Sequence, residues 1–227
     1  MESFLELCRN RRSYRKYTSQ PVEREKLDYI VQCALMAPAG KRLNPWHFTV
    51  VTEESVIRQF AGCRTYGSGM FQTATAAIVV SLDTSVCDTW QADGAIAAAH
   101  ILLAAADLGL GACWCQVYQR EGAEELVKKA LTESGEKNQE PRIGSHEQGL
   151  ALEGKTILCI ISLGYKDEER KPYDLSKLQY EKVEYKTPSN SPYEGGEYEK
   201  YVLEIEAYYI LFCINKPEKL ETCLLCS

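Results

Sequence analysis

Apolar residues in this chain follow helical spacing in some stretches and continuous runs in others, and the changes mark its elements. Ser3 followed by Glu6 has the form of a capping box, where each side chain satisfies a free backbone donor at a helix start. It predicts a short helix ending near Asn10. Leu27, Ile30, Val31, Ala34 and Leu35 recur at the spacing of one helical face, with Pro21 just ahead of them. Ala37-Pro38 ends that helix, because proline disfavours a helical residue before it. His47 to Thr52 reads as a strand, with Thr52 capping a helix through Phe60. Gly62 to Gly69 is irregular and Ala76 to Leu82 is a buried strand. A long helix runs from about Thr89 to Leu108, with Gly109 and Gly111 as stop signals.

Ala112 to Tyr118 is a short strand, and Ala123, Leu126, Val127, Ala130 and Leu131 form another helical stripe. Thr156 to Leu163 is almost continuously apolar, as expected of a strand covered on both faces. Ser134 to Gly149 is polar and reads as an exposed loop or insertion, and Thr187 to Gly196 as a linker. The tail beyond has one apolar patch, Tyr208 to Ile214. Helices alternating with four strands predict a mixed α/β architecture and leave strand order open.

Composition narrows the classes. With 227 residues, 45% hydrophobic and 26% charged, the chain can build and solvate one core, with or without an appendage. A net charge of −6 argues against a nucleic acid or an anionic membrane as main partner. The longest apolar run, Ala95 to Ala106, contains His100 and is too short to span a bilayer. The first six residues lack the basic start and apolar stretch of a secretory signal. Ten cysteines are scattered through predicted helices and strands, which points to reduced thiols in a cytoplasmic compartment. Cys113-Trp-Cys115 and Cys223-x-x-Cys226 hold four thiols, but zinc sites favour paired C-x-x-C units. No metal is assigned.

Three constellations carry candidate chemistry. Arg11-Arg12-Ser13-Tyr14-Arg15 places three guanidiniums and a hydroxyl in five residues after a helix. If extended, Arg11, Ser13 and Arg15 share one side and form a grip for a phosphate or other anion; a solvated basic patch is the plain alternative. Ala37 to Phe48, with small residues and two prolines, lets backbone approach a flat ligand, or simply connects a helix to a strand around a core Trp46. Asp93-Gly94-Ala95 opens an Ala-rich helix leading to Leu108-Gly-Leu-Gly-Ala-Cys-Trp114. Such a thin helix suits a subunit interface, a cofactor floor or a plain core.

Taken in order with Ser162-Leu163-Gly164-Tyr165, these segments resemble the nitroreductase family from Glu2 to about Tyr185. The resemblance implies an α+β fold with a central, mainly antiparallel sheet flanked by helices, a homodimer, and noncovalent FMN at the subunit interface. It places a family-like domain over residues 1–186 and leaves 187–227 as linker and tail. It also implies that Arg11 and Ser13, with Arg12 beside them, hold the phosphate and ribityl end. Arg15 is expected near the pyrimidine edge, where a cation stabilises the reduced ring. Pro38, Ala39 and Gly40, with Arg42 and Asn44, are expected to line the flavin from the partner subunit. Cys115 and Gln116 are expected to approach it by their backbone, and Lys171 to be a second phosphate cation. The chain departs from the family at Ala39, Arg42, Asn44 and Tyr173, with Arg170 near the last.

The implied activity is NAD(P)H-dependent, ping-pong reduction of a small acceptor such as a nitroaromatic or quinone. The cofactor carries the chemistry, so no catalytic side chain is assigned. Two alternatives remain: a dehalogenating or flavin-fragmenting relative with Ser134 to Gly149 as a lid, and a non-enzymatic flavin-binding protein.

Overall fold

The first helix, α1 (Phe4–Asn10), starts where the Ser3 hydroxyl accepts the Glu6 N–H at 3.2 Å. Glu6 does not reach back to complete the capping box; its carboxylate pairs with Arg9 at 2.8 Å. The structure, a computed structural model, describes residues 3–134, 152 and 154–184. The expected polar loop after Ser134, the boundary after residue 186, the Tyr208–Ile214 patch and Cys223/Cys226 lie outside them.

Helix α2 (Arg24–Leu35) buries Leu27, Ile30 and Ala34. Leu35 stands 55% exposed, because eight residues past Leu27 carry it about 80° around the axis. Strand β1 (Trp46–Val51) is followed by α3 (Glu54–Gln59) and a 3-10 turn at Phe60–Gly62. Glu53, not Thr52, occupies the N-cap of α3. Strand β2 (Ala76–Leu82) is buried at every position. Helix α4 (Trp90–Asp107), β3 (Gly111–Gln116), α5 (Ala123–Ser134) and β4 (Thr156–Gly164) complete the unit.

The four strands form one antiparallel sheet in the order β1-β2-β4-β3. Its faces divide the core in two. Ala77, Val79, Cys113, Cys115, Ile157 and Ile160 pack with residues of α3 and α5. Ile78, Val80, Leu82, Ala112, Leu158 and Ile161 pack with α2 and α4. Ile157 and Ile160 share a face despite their odd spacing because β4 bulges opposite Val80/Ser81. The Leu158 carbonyl, freed by that bulge, accepts both the Val117 (3.1 Å) and Tyr118 (3.0 Å) N–H. This ends β3 at Gln116, two residues before the sequence places its end. Helix α4 lies close on the sheet at Gly94, where a Cβ would come within 2.7 Å of Leu82 and 2.8 Å of Leu158.

Asp174 closes the larger of two units; of the second, which begins at Leu175, the 3-10 turns Leu175–Lys177 and Tyr180–Lys182 are described. Cys8, Cys33, Cys63, Cys87, Cys113, Cys115 and Cys159 are free thiols. Among the described residues, no helix is long and apolar enough to cross a membrane and no group of three His, Cys, Asp or Glu is arranged to hold a metal.

Candidate active site

Residues 11–17 leave α1 as an extended strap laid over the β3–β4 edge. Ser13 bridges Ala112 in parallel, and Tyr17 bridges Lys166 in antiparallel. The Tyr14 N–H donates to the Ala112 carbonyl at 3.1 Å, and the Asp167 N–H to the Lys16 carbonyl at 3.1 Å. Such pairing covers a strand edge that would otherwise present open backbone groups. Tyr14 and Tyr17 point into the core, 7% and 3% exposed. The Tyr17 hydroxyl donates to the Tyr14 carbonyl at 2.6 Å and lies 2.7 Å from Ser162 Oγ. Burial pushes its phenol pKa up, so it stays a neutral hydrogen-bonding anchor.

The strap's cations are gathered by the segment after β4. Arg12 donates to the Lys171 carbonyl and lies over the Tyr173 ring, 4.4 Å from its centroid. Arg11 approaches the same ring at 5.9 Å and donates from Nη2 to its hydroxyl at 3.3 Å. Tyr173 is itself tied down, its N–H donating to the Arg9 carbonyl at 3.0 Å. Two adjacent arginines therefore meet one ring, and the simple alternation expected of residues 11, 13 and 15 does not describe them. Tyr173 adds no charge, yet it holds two guanidiniums by cation–π contact. The Lys171 side chain is exposed, and its carbonyl is the atom that meets the strap.

Arg15 is exposed, but its backbone is fixed: its N–H donates to Glu168 Oε1 at 2.5 Å. The other oxygen of Glu168 takes the Arg170 guanidinium at 2.7 Å. Burial pushes the Glu168 carboxyl up, and the Arg15 N–H and Arg170 more than offset it, so its pKa lies below the ordinary range. Arg170 thus occupies the carboxylate that would otherwise compete for Arg15.

At the end of β3, Cys115 faces inward, its thiol 3.7 Å from that of Cys63. That contact and burial both push the Cys115 thiol pKa up, so this position offers no thiolate to a ligand. The Gln116 side chain is locked, accepting from Trp114 Nε1 at 3.0 Å and donating to the Tyr118 carbonyl at 3.2 Å.

The 38–44 loop is anchored elsewhere. The Gly40 N–H donates to Asp93 Oδ1 at 2.9 Å, in the first turn of α4. Lys41, Arg42 and Asn44 all have positive φ, at 53°, 57° and 45°. Pro38 and residues 41–44 are exposed, while Ala39 and Gly40 are half-buried. Trp46, by contrast, is a core residue beside Phe48, with ring centroids 6.4 Å apart. His100 is half-buried on α4 and donates from Nδ1 to the Ile96 carbonyl at 2.9 Å.

Sequence reasoning gives Tyr173 and Glu168 no positive role and names Asp93 only as the residue that opens the Ala-rich helix. Asp93 had a visible signal, an acidic residue opening an otherwise apolar helix.

Known proteins are similar to this chain in sequence and in fold. The nitroreductase family model matches residues 8–64, which include the strap and the 38–44 loop. A protein of Archaeoglobus fulgidus named "Putative NADH dehydrogenase/NAD(P)H nitroreductase" is 31% identical over 178 residues, covering 77% of this chain and 91% of its own. One of the same name from Methanothermobacter thermautotrophicus is 38% identical over 131 residues, 56% of this chain and 68% of its own. Among solved structures, an FMN-dependent nitroreductase from Clostridium difficile superposes with a TM-score of 0.69 at 36% identity, covering 81% of this chain and 99% of that one. On its sequence, its antiparallel sheet and these relatives, the chain belongs to the nitroreductase family.

Proposed function

We propose that this protein is an FMN-dependent oxidoreductase that takes reducing equivalents from NAD(P)H and passes them to a small acceptor, a nitroaromatic or quinone, by a ping-pong scheme. The observation that carries the reading is the strap: Arg11 and Arg12 are collected on Tyr173, with Ser13 seated against β3 beside them. A flavin phosphate is a dianion, and forked guanidinium donors with a nearby hydroxyl match it. In this assignment Arg11, Arg12 and Ser13 grip the phosphate and ribityl end, and Lys171 adds a second cation. Arg15 sits at the pyrimidine edge, its charge left available because Arg170 satisfies Glu168. Cys115 and Gln116 present backbone to the ring. Bound FMN would supply the redox chemistry, hydride acceptance from NAD(P)H and electron donation to the acceptor, in the pocket that these residues would form.

Pro38, Ala39, Gly40, Arg42 and Asn44 are assigned to the flavin of a partner subunit. The support is α4, which is apolar all round yet leaves Ala92, Ala95, Ile96 and Ala99 exposed. A helix of that composition is normally covered, and a second copy packed on its small side chains covers it. We assign residues 1–186 to this flavin-binding domain and 187–227 to a linker and C-terminal tail.

Initial rates with NADPH and nitrofurazone varied together test the scheme. Parallel double-reciprocal lines are expected; intersecting lines would show both substrates bound at once and exclude it.

A further inference from the structure

We infer that Asp93 is a positioning residue for the flavin site, holding the 38–44 loop in its left-handed geometry from the first turn of α4; this rests on the loop assignment made under Proposed function. Lys41, Arg42 and Asn44 occupy a region of φ that side-chain-bearing residues avoid, Asn least strongly. Three such residues within four persist only where their surroundings over-determine the backbone, and such strain concentrates at ligand sites. Inside the loop, the Arg42 N–H donates to the Ala39 carbonyl at 3.2 Å and the Leu43 N–H to the Gly40 carbonyl at 3.1 Å. Those two bonds shape the loop but do not place it on the protein. Among the described residues, the hydrogen bond that ties the loop itself to the rest of the protein is from the Gly40 N–H to Asp93 Oδ1 at 2.9 Å. Just past the loop's end, the Asp83 N–H holds the Pro45 carbonyl at 2.8 Å.

Asp93 is built for that task. It is 3% exposed, and its second oxygen takes the Thr89 hydroxyl at 3.1 Å and the Cys87 thiol at 3.3 Å. A buried carboxylate is a costly device unless its lone pairs are filled, as they are here. In return it makes a stronger bond to a backbone N–H than a neutral acceptor does, and its charge suits a helix start. The close approach also dictates the residue opposite. A Cβ at Gly40 would meet Thr89 Oγ1 at 2.5 Å, so the loop seats on this pin only with glycine at 40. The pin thus lies inside the segment Pro38–Gly40 and leaves Lys41, Arg42 and Asn44 facing outward.

The test uses the full chain, with and without FMN, and two readouts: the FMN dissociation constant from flavin fluorescence, and the rate of tryptic cleavage after Lys41 and Arg42. Asp93→Ala is expected to raise the FMN constant about tenfold, the worth of one charge-assisted hydrogen bond. Cleavage at 41 and 42 should rise by at least about as much, with other tryptic sites unchanged. Asp93→Asn, which keeps an acceptor oxygen, should fall between. Gly40→Ala should reproduce the cleavage of Asp93→Ala without touching the carboxylate. Adding Thr89→Ala removes the clashing oxygen, leaves the Cys87 thiol on the second oxygen of Asp93, and should restore slow cleavage; Thr89 makes no side-chain cap bond, so α4 loses no cap. If Asp93→Ala does not fold, the Gly40 and Thr89 variants carry the test. Wild-type cleavage and affinity in Asp93→Ala, wild-type cleavage in Gly40→Ala, or cleavage that accelerates equally at every site, would overturn the inference. Failure of the wild-type chain to bind FMN would instead sink the function, while the cleavage pattern would still judge Asp93.

Discussion

Gly111 and Gly164 stand opposite each other across the β3–β4 ladder, and over each lies a tyrosine of the N-terminal strap. A Cβ on Gly111 would come within 2.9 Å of Tyr14 Cβ, and one on Gly164 within 2.9 Å of Tyr17 Cβ. The paired glycines form the seat on which the strap rests, and through it the place where Arg11, Ser13 and Arg15 are presented. Gly111→Ala or Gly164→Ala should therefore cost about 1–3 kcal/mol by overpacking and weaken FMN uptake as the strap shifts. Thermal melts and FMN titration of both variants check this. Unchanged values in both would mean the strap is not seated there.

The ring of Tyr173 is expected to matter more than its hydroxyl. Tyr173→Phe keeps the face that Arg12 covers and loses only the 3.3 Å bond from Arg11. It should bind FMN within about twofold of wild type, since an exposed bond of this length is worth little. Tyr173→Ala takes the ring from both guanidiniums, leaving Arg12 its bond to the Lys171 carbonyl, and should weaken binding about five- to tenfold, in line with cation–π contact energies. Equal affinities for the Ala and Phe variants would contradict this role.

Glu168 gives a pH dependence with a definite sign. Its carboxyl titrates lower in the folded protein than in the unfolded chain, so the stability it contributes is complete above the ordinary glutamate value, about 4.3. That contribution is lost as pH falls through the lowered folded value. The side chain is 17% exposed, and the contribution is about 1 kcal/mol, one net hydrogen bond to a charged group. Urea unfolding from pH 6 down to pH 3 should show wild type losing more stability than Glu168→Gln, the two curves converging at the acid end. Parallel curves would contradict the assignment.

The reach of the sequence is clearest at the sheet. Strand β2 matches its expected span at both ends, because seven consecutive buried positions need no information from elsewhere. Strand β3 ends early because a bulge in β4 diverts the Leu158 carbonyl to Val117 and Tyr118, a long-range event with no local mark. The site divides the same way. The strap cations and the small-residue loop stand in contiguous motifs and were legible. Their holders were not: Tyr173 lies 162 residues from Arg11, Glu168 lies 153 from Arg15, and Asp93 lies 53 from Gly40. Leu35 also misled, since apolar spacing defines a face only to within one residue's turn.

The proposed packing of a second copy on α4 has a direct test. Ile96, 39% exposed, stands beside Ala92, Ala95 and Ala99 on the open face. Ile96→Arg places a charge there, and an unpaired buried charge costs several kcal/mol. Light scattering should show a dimer for wild type and a monomer for the variant, with FMN binding lost in parallel. A monomeric wild type that still holds FMN tightly would show the site complete within one chain.

The absorbance spectrum of the purified protein, followed anaerobically as NADPH and then NADH are added, tests the central claim most directly. Flavin bands near ~370 and ~450 nm that bleach with a reduced nicotinamide are expected of an FMN enzyme of this kind. A colourless protein that takes up no added FMN, or a bound flavin that neither nucleotide reduces, would contradict it.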